Sequence, residues 1–182
     1  MNLPNFLTAV RLVLVPLIIW LILVERNVAA FAVFVVAGLT DLVDGYLAKN
    51  FNMRTEIGAW LDPLADKVLV VSVFVVLTVI GTLPLWLTIL VISRDIAIVL
   101  AIGASYAMGQ IVRFEPILIS KINTALQVAL VALVLLLRAI GQAQPEIVFV
   151  GCIALAATTV ASWLQYFLMW LRLTRSKSRN SA

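Results

Sequence analysis

Histidine is absent from this chain, cysteine occurs once, and aspartate and glutamate together number nine. Without histidine, the commonest metal ligand and general base is excluded, so acid–base or metal chemistry falls to carboxylates. Their oxygen donors suit magnesium or manganese rather than a softer metal. The lone Cys152, between Gly151 and Ile153, excludes an intramolecular disulfide and is expected to be packing filler or to face lipid. Charge is scarce as well: 12% of the residues are charged against 64% hydrophobic, more apolar than a soluble domain of 182 residues needs for its core. No internal repeat, low-complexity segment or soluble domain is evident.

What is present is a series of apolar runs reaching the roughly 20 residues that a helix needs to cross a bilayer. They show continuous Leu, Val, Ile and Ala without strand alternation, which favours helices over a barrel. The expected fold is all-α: an integral membrane bundle of six transmembrane helices with a cytosol-facing polar cavity. Spans are expected over about 4–24, 28–48, 55–80 with a local kink at Pro63, 85–108, from 116 to near Arg138, and 147–171. Residues 1–172 form one domain, and 173–182 a short, basic, mobile tail that contacts anionic headgroups. The start lacks a basic segment and a small-residue cleavage site, so the first span is expected to remain in the mature protein.

With six spans, Arg11, Lys49, Arg54, Arg113, Lys121, Arg172, Arg175, Lys177 and Arg179 share one side, and Arg26 and Arg138 lie on the other. The positive-inside bias assigns the first side to the cytoplasm. A bacterial inner membrane is the expected location, and no nucleic-acid partner is expected.

Against this apolar background the stretch from Asp41 to Asp66 stands out, because it holds Asp41, Asp44, Asp62 and Asp66. An ionisable group at membrane depth is costly enough to read as functional. Asp41 and Asp44 are about 60° apart around a helix, and Gly58, Asp62 and Asp66 follow at four-residue intervals on one stripe. Gly45 leaves room for close backbone approach. Two uses fit such a site. The four acids could hold two divalent metals that clamp a diphosphate, with Lys49, Gly45 and Gly58 near it; or they could line a cation pathway. Asn5, Thr8 and Arg11 share one side of the first helix, and Arg94, Lys121 and Asn123 are further polar groups near apolar spans.

The order Asp41-x2-Asp44-Gly45-x2-Ala48-Lys49-x8-Gly58-x3-Asp62-x3-Asp66 resembles the DxxDGxxAR-x8-GxxxDxxxD signature of the CDP-alcohol phosphotransferase family (class I CDP-alcohol phosphatidyltransferases). The N-terminal Pro4-Asn5-x2-Thr8-x2-Arg11 agrees, so the likeness covers nearly the whole chain. Lys49 departs from the usual arginine and forgoes its bidentate fork.

The resemblance implies two Mg2+ or Mn2+ ions on Asp41, Asp44, Asp62 and Asp66, with Asp66 also the general base. It further implies CDP-diacylglycerol contacts from Asn5, Thr8, Arg11, Gly45, Lys49 and Gly58, and a homodimer. The runs AGLTDLVDGYLAKN, ISRD and SKINTALQ look most like the family's CDP-diacylglycerol-dependent cardiolipin synthases. Phosphatidylglycerol is then the expected acceptor, met by Arg94, Lys121 and Asn123. Glycerol 3-phosphate is the alternative, and cation transport the alternative of another class. Relatives using glycerol 3-phosphate typically carry a second lysine where this chain has Asn123.

Overall fold

The computed structural model describes the backbone of residues 3–50, 56–107, 118–142 and 144–180 and the side chains of residue 10 and of 12–40, 67–100, 118–142 and 144–165. All regular structure among them is helical: α1 Leu3–Leu23, α2 Asn27–Asn50, α3 Glu56–Val79, α4 Leu85–Ala107, α5 Leu118–Ala139 and α6 Pro145–Asn180. The expected order holds, with ends shifted by a residue or two, and α3 is continuous through Pro63. At 36 residues α6 extends past residue 171 to Asn180, so its backbone includes Arg172, Arg175, Lys177 and Arg179. Such a helix is about 54 Å long, well beyond the roughly 30 Å of a hydrocarbon layer.

α1 packs against α2 and α3; α5 packs against α2, α3 and α6; α4 joins α3 to α6. The core they share is mostly aliphatic with two buried rings, Phe34 and Phe74, among Ile18, Ile22, Val73, Leu77, Leu87, Val91, Val131, Val134, Leu135 and Leu155, all buried. On α5 the buried residues are Asn123, Gln127, Leu130, Val131, Val134, Leu135 and Leu137, a stripe with helical period that faces the bundle. Gly151 lets α6 come close to α5, because a Cβ there would lie 2.8 Å from the end of Leu130. Cys152 is buried in the same contact.

The outer surface is unlike that of a soluble bundle. Large apolar side chains are exposed on every helix, among them Val13 and Trp20, Val28 and Leu39, Val79, Leu85 and Leu100, Leu118, and Val150 and Leu164. By length and composition, two segments, Leu118–Ala139 and Pro145–Gln165, are long and apolar enough to cross a membrane among the described residues.

Three helices end in the same way. After α1, α3 and α5, the residues Glu25, Gly81 and Gly141 take φ values of 60°, 76° and 69°. At each, two backbone bonds close the turn: Glu25 N to Ile22 O and Arg26 N to Leu21 O, Gly81 N to Thr78 O and Thr82 N to Leu77 O, Gly141 N to Arg138 O and Gln142 N to Leu137 O. This paired pattern satisfies carbonyls that a helix end otherwise leaves open. Glycine adopts the left-handed conformation without strain, whereas Glu25 has a Cβ to accommodate.

Thr78 ties the second of these ends to α4. Its hydroxyl donates to Phe74 O at 2.8 Å, so the 2.5 Å contact with Thr88 Oγ1 takes its proton from Thr88. Replacing Glu25 with glycine is expected to raise stability by about 0.5–1 kcal/mol, and Gly81→Ala to lower it by about 1 kcal/mol or more. Thermal unfolding in detergent reads both, and equal shifts of one sign would contradict the strain assigned to Glu25.

Candidate active site

The acid-bearing stretch falls on two helices. Asp41 and Asp44, with Gly45 and Lys49, lie in the C-terminal half of α2, and Gly58, Asp62 and Asp66 in the N-terminal half of α3. The helical backbone gives each pair the register its spacing requires, one turn or less apart on one side of its helix. The side chains of these seven residues, and those of Asn5, Thr8 and Arg11 on α1, lie outside the described residues. α1 nevertheless packs against both α2 and α3, so the two helices that carry the four aspartates share as a neighbour the helix that carries Asn5, Thr8 and Arg11. Four carboxylates in two helical registers form a hard-oxygen donor set, and that fits a pair of small divalent cations. Among the described residues no group of three or more His, Cys, Asp or Glu could hold a metal.

The acceptor residues expected from sequence are described, and they fall on two sides of α5. Lys121 is exposed and borders a cavity of about 750 Å³ between α2, α3 and α5, together with Ser120, Thr124, Phe34, Gly38, Leu39, Leu69 and Val70. Its walls are mostly apolar. Asn123, two residues on, is fully buried against α6 and does not reach that cavity. Its Oδ1 lies 2.9 Å from Thr158 Oγ1 and 2.8 Å from Thr159 Oγ1, and both hydroxyls also lie within hydrogen-bond distance of Leu155 O. Asn123 Nδ2 and Gln127 Nε2, one turn apart, are buried without a partner. Asn123 is thus a polar staple between α5 and α6.

Arg94 is 2% exposed and central to a network across three more helix contacts. One arm of the guanidinium meets Asp95 Oδ1 at 2.8 Å; the other donates to Ser120 Oγ on α5 at 2.5 Å and to Ser162 Oγ on α6 at 3.2 Å. The same Asp95 oxygen receives Lys67 Nζ from α3 at 2.7 Å. Asp95 is therefore held between two cations, and Lys67 directly follows Asp66 in the chain. Arg94 Nε remains buried and unpartnered.

The sequence profile of the CDP-alcohol phosphatidyltransferase family matches residues 1–174. This chain belongs to that family. Its CDP-alcohol phosphatidyltransferase relatives include the cardiolipin synthase (CMP-forming) of Rattus norvegicus, 36% identical over 185 residues that cover 91% of this chain and 60% of the rat protein. A cardiolipin synthase (CMP-forming) / mitochondrial hydrolase fusion protein of Schizosaccharomyces pombe is 38% identical, over 91% of this chain and 30% of the other. The CDP-diacylglycerol--glycerol-3-phosphate 3-phosphatidyltransferase of Bacillus subtilis is 32% identical over 150 residues, 74% of this chain and 77% of the relative. The chain thus spans less than two thirds of the length of the cardiolipin synthases it matches.

In this family member, sequence reading singled out Arg94 and the adjacent Asp95 but not the partners on other helices that fix them. The available signal was polar residues in otherwise apolar helices: Ser120, Asn123 and Gln127 at helical spacing on α5, and Thr159 and Ser162 on α6. Removing one partner of a buried pair leaves an uncompensated charge and costs about 3–5 kcal/mol, whereas a partly exposed pair is worth about 1 kcal/mol or less. The Arg94 and Asp95 side chains are 3% and 8% exposed, against 32% for Lys67. Asp95→Asn is accordingly expected to lower stability by about 3–5 kcal/mol, and Lys67→Gln by about 1 kcal/mol or less. Denaturant unfolding in metal-free detergent compares them, and similar losses would contradict the ranking.

Proposed function

We propose that this chain spans a membrane six times and transfers a phosphatidyl group from CDP-diacylglycerol to a hydroxyl of phosphatidylglycerol, giving cardiolipin and CMP. The observation that carries the reading is the placement of the family signature, Asp41 to Asp66, on two helices that share α1 as a neighbour. Membrane embedding draws support from the large apolar side chains exposed on all six helices, a surface that lipid solvates and water does not. By the distribution of Lys and Arg, the site faces the cytoplasm of a bacterial inner membrane. The enzyme works as a homodimer, as the family likeness implies.

Asp41, Asp44, Asp62 and Asp66 would hold two Mg2+ or Mn2+ ions. Such ions, when bound, supply charge neutralisation for the diphosphate during displacement at phosphorus. The remaining steps belong to the chain. Asn5, Thr8, Arg11 and Lys49 bind the cytidine diphosphate part, and Gly45 and Gly58 let it approach the helix backbones. Asp66 takes the proton from the acceptor hydroxyl as its oxygen bonds to the phosphorus that bears the lipid; the bond from that phosphorus to the CMP oxygen breaks.

Lys121 is the acceptor's cation, because it opens on a substrate-sized cavity with walls suited to acyl chains. Arg94 and Asn123 complete the acceptor side from the α6 face of α5. Asn123 positions that helix without adding a second positive charge, which suits an acceptor with one phosphodiester. The second reading, glycerol 3-phosphate as acceptor, is favoured by the larger share of the Bacillus subtilis relative that the chain covers.

CMP release from CDP-diacylglycerol and Mg2+ or Mn2+ by purified protein separates the two. Phosphatidylglycerol is expected to support release and glycerol 3-phosphate not, with a product carrying four acyl chains; the opposite result assigns the second reading. Asp66→Asn should cut release by at least about 100-fold with thermal unfolding intact. Full activity of that variant would sink the role given to Asp66.

A further inference from the structure

At the end of the bundle away from the aspartates, a second cavity of about 530 Å³ opens between the α3–α4 turn, the end of α5 and the start of α6. Arg138 borders it. Its Nε donates to Asn27 Oδ1 at 3.1 Å and its Nη1 to Thr82 Oγ1 at 3.1 Å, so one guanidinium gathers the turns that follow α1, α3 and α5. Both acceptors are neutral. Among the described residues no carboxylate pairs with Arg138, and its Nη2 makes no hydrogen bond.

A cation aimed by two neutral groups keeps its full charge for a third partner. The wall beside it is apolar and outward-facing: Trp86 is 45% exposed and Phe149 60%. Tryptophan next to an arginine at a helix end is what a lipid–water boundary favours. Lys121 stands 17 residues earlier on α5, about 25 Å away along the axis, so this cavity is separate from the site of transfer.

We propose that this cavity binds an anionic phospholipid of the opposite leaflet, its phosphodiester on Arg138 and the upper part of an acyl chain along Trp86 and Phe149. Two observations select a lipid over a free anion. Most of the lining is apolar, and the exposed rings continue the wall outward along α4 and α6. The lack of a carboxylate partner selects an anionic over a zwitterionic headgroup. The inference rests on the membrane-spanning reading but not on the choice of acceptor.

The test is tryptophan quenching in nanodiscs, with Trp86 retained and Trp20, Trp60, Trp163 and Trp170 changed to Phe. Phosphatidylserine brominated near the top of its acyl chains is compared with the same phosphatidylcholine. A preference of about fivefold for the anionic lipid is expected, the effect of one cation at a membrane surface. Arg138→Gln should reduce it to about one. Gln142→Glu, at an exposed residue on the same cavity, supplies a carboxylate to Arg138 while leaving its bonds to Asn27 and Thr82 in place, and should do the same even if Arg138→Gln fails to fold. Equal quenching by both lipids with Arg138 intact, or a preference that survives Gln142→Glu, would overturn the lipid site alone. If neither lipid quenches Trp86, the membrane-spanning reading falls with it.

Discussion

A buried guanidinium cannot be left alone in an apolar bundle, and much of this structure follows from how Arg94 is answered. Its charge is met by Asp95, the next residue, and Asp95 is met again by Lys67 from α3. The other guanidinium arm reaches Ser120 on α5 and Ser162 on α6. One ionic cluster therefore joins four helices at the level where Asp66 ends the acidic stretch. Desolvation makes such a cluster a poor source of net stability, but breaking its buried Arg94–Asp95 part is expensive, and that cost limits sliding of α4 against α5 and α6, with Lys67 a weaker tie to α3. The base role proposed for Asp66, the residue before Lys67, would benefit from such a tie, because small displacements of a base are costly in rate.

The two ends of the bundle are built on different principles. At one end, three helices close with the same paired backbone bonds, and Arg138 ties their turns with hydrogen bonds to neutral acceptors. That end can be well defined without any ligand. At the other end, acids are concentrated on α2 and α3 in an apolar chain, where uncompensated carboxylates are unfavourable. Cations are what would balance them, so the end proposed to carry the reaction would depend on what it binds, while the opposite end depends on its own backbone.

The helices were legible because their signals are local: apolar runs of sufficient length, separated by Glu25-Arg26-Asn27, by Gly81 to Pro84 and by Gly141 to Pro145. The aspartates were legible because acids are rare here and their spacing carries a helical register. The reach of α6 was less legible, since the basic residues after Leu171 read as a tail, while Leu171, Leu173 and the absence of Gly or Pro after Gly151 allow the helix to continue. Asn123 and Lys121 look equivalent in a linear reading, yet two residues on a helix differ by about 200°, and they face different neighbours. Ser120 and Ser162 stood out only as polar residues in apolar helices; their pairing with Arg94 was not legible, because which polar residues meet across α5 and α6 depends on packing between segments distant in the chain.

The central claim is that the four aspartates form one two-metal site. Anomalous scattering from crystals grown with Mn2+ tests it most directly. The account predicts two manganese peaks about 3.5–4 Å apart among Asp41, Asp44, Asp62 and Asp66, and loss of at least one in Asp62→Asn. A single peak elsewhere in the bundle, or two peaks unchanged in Asp62→Asn, would contradict it.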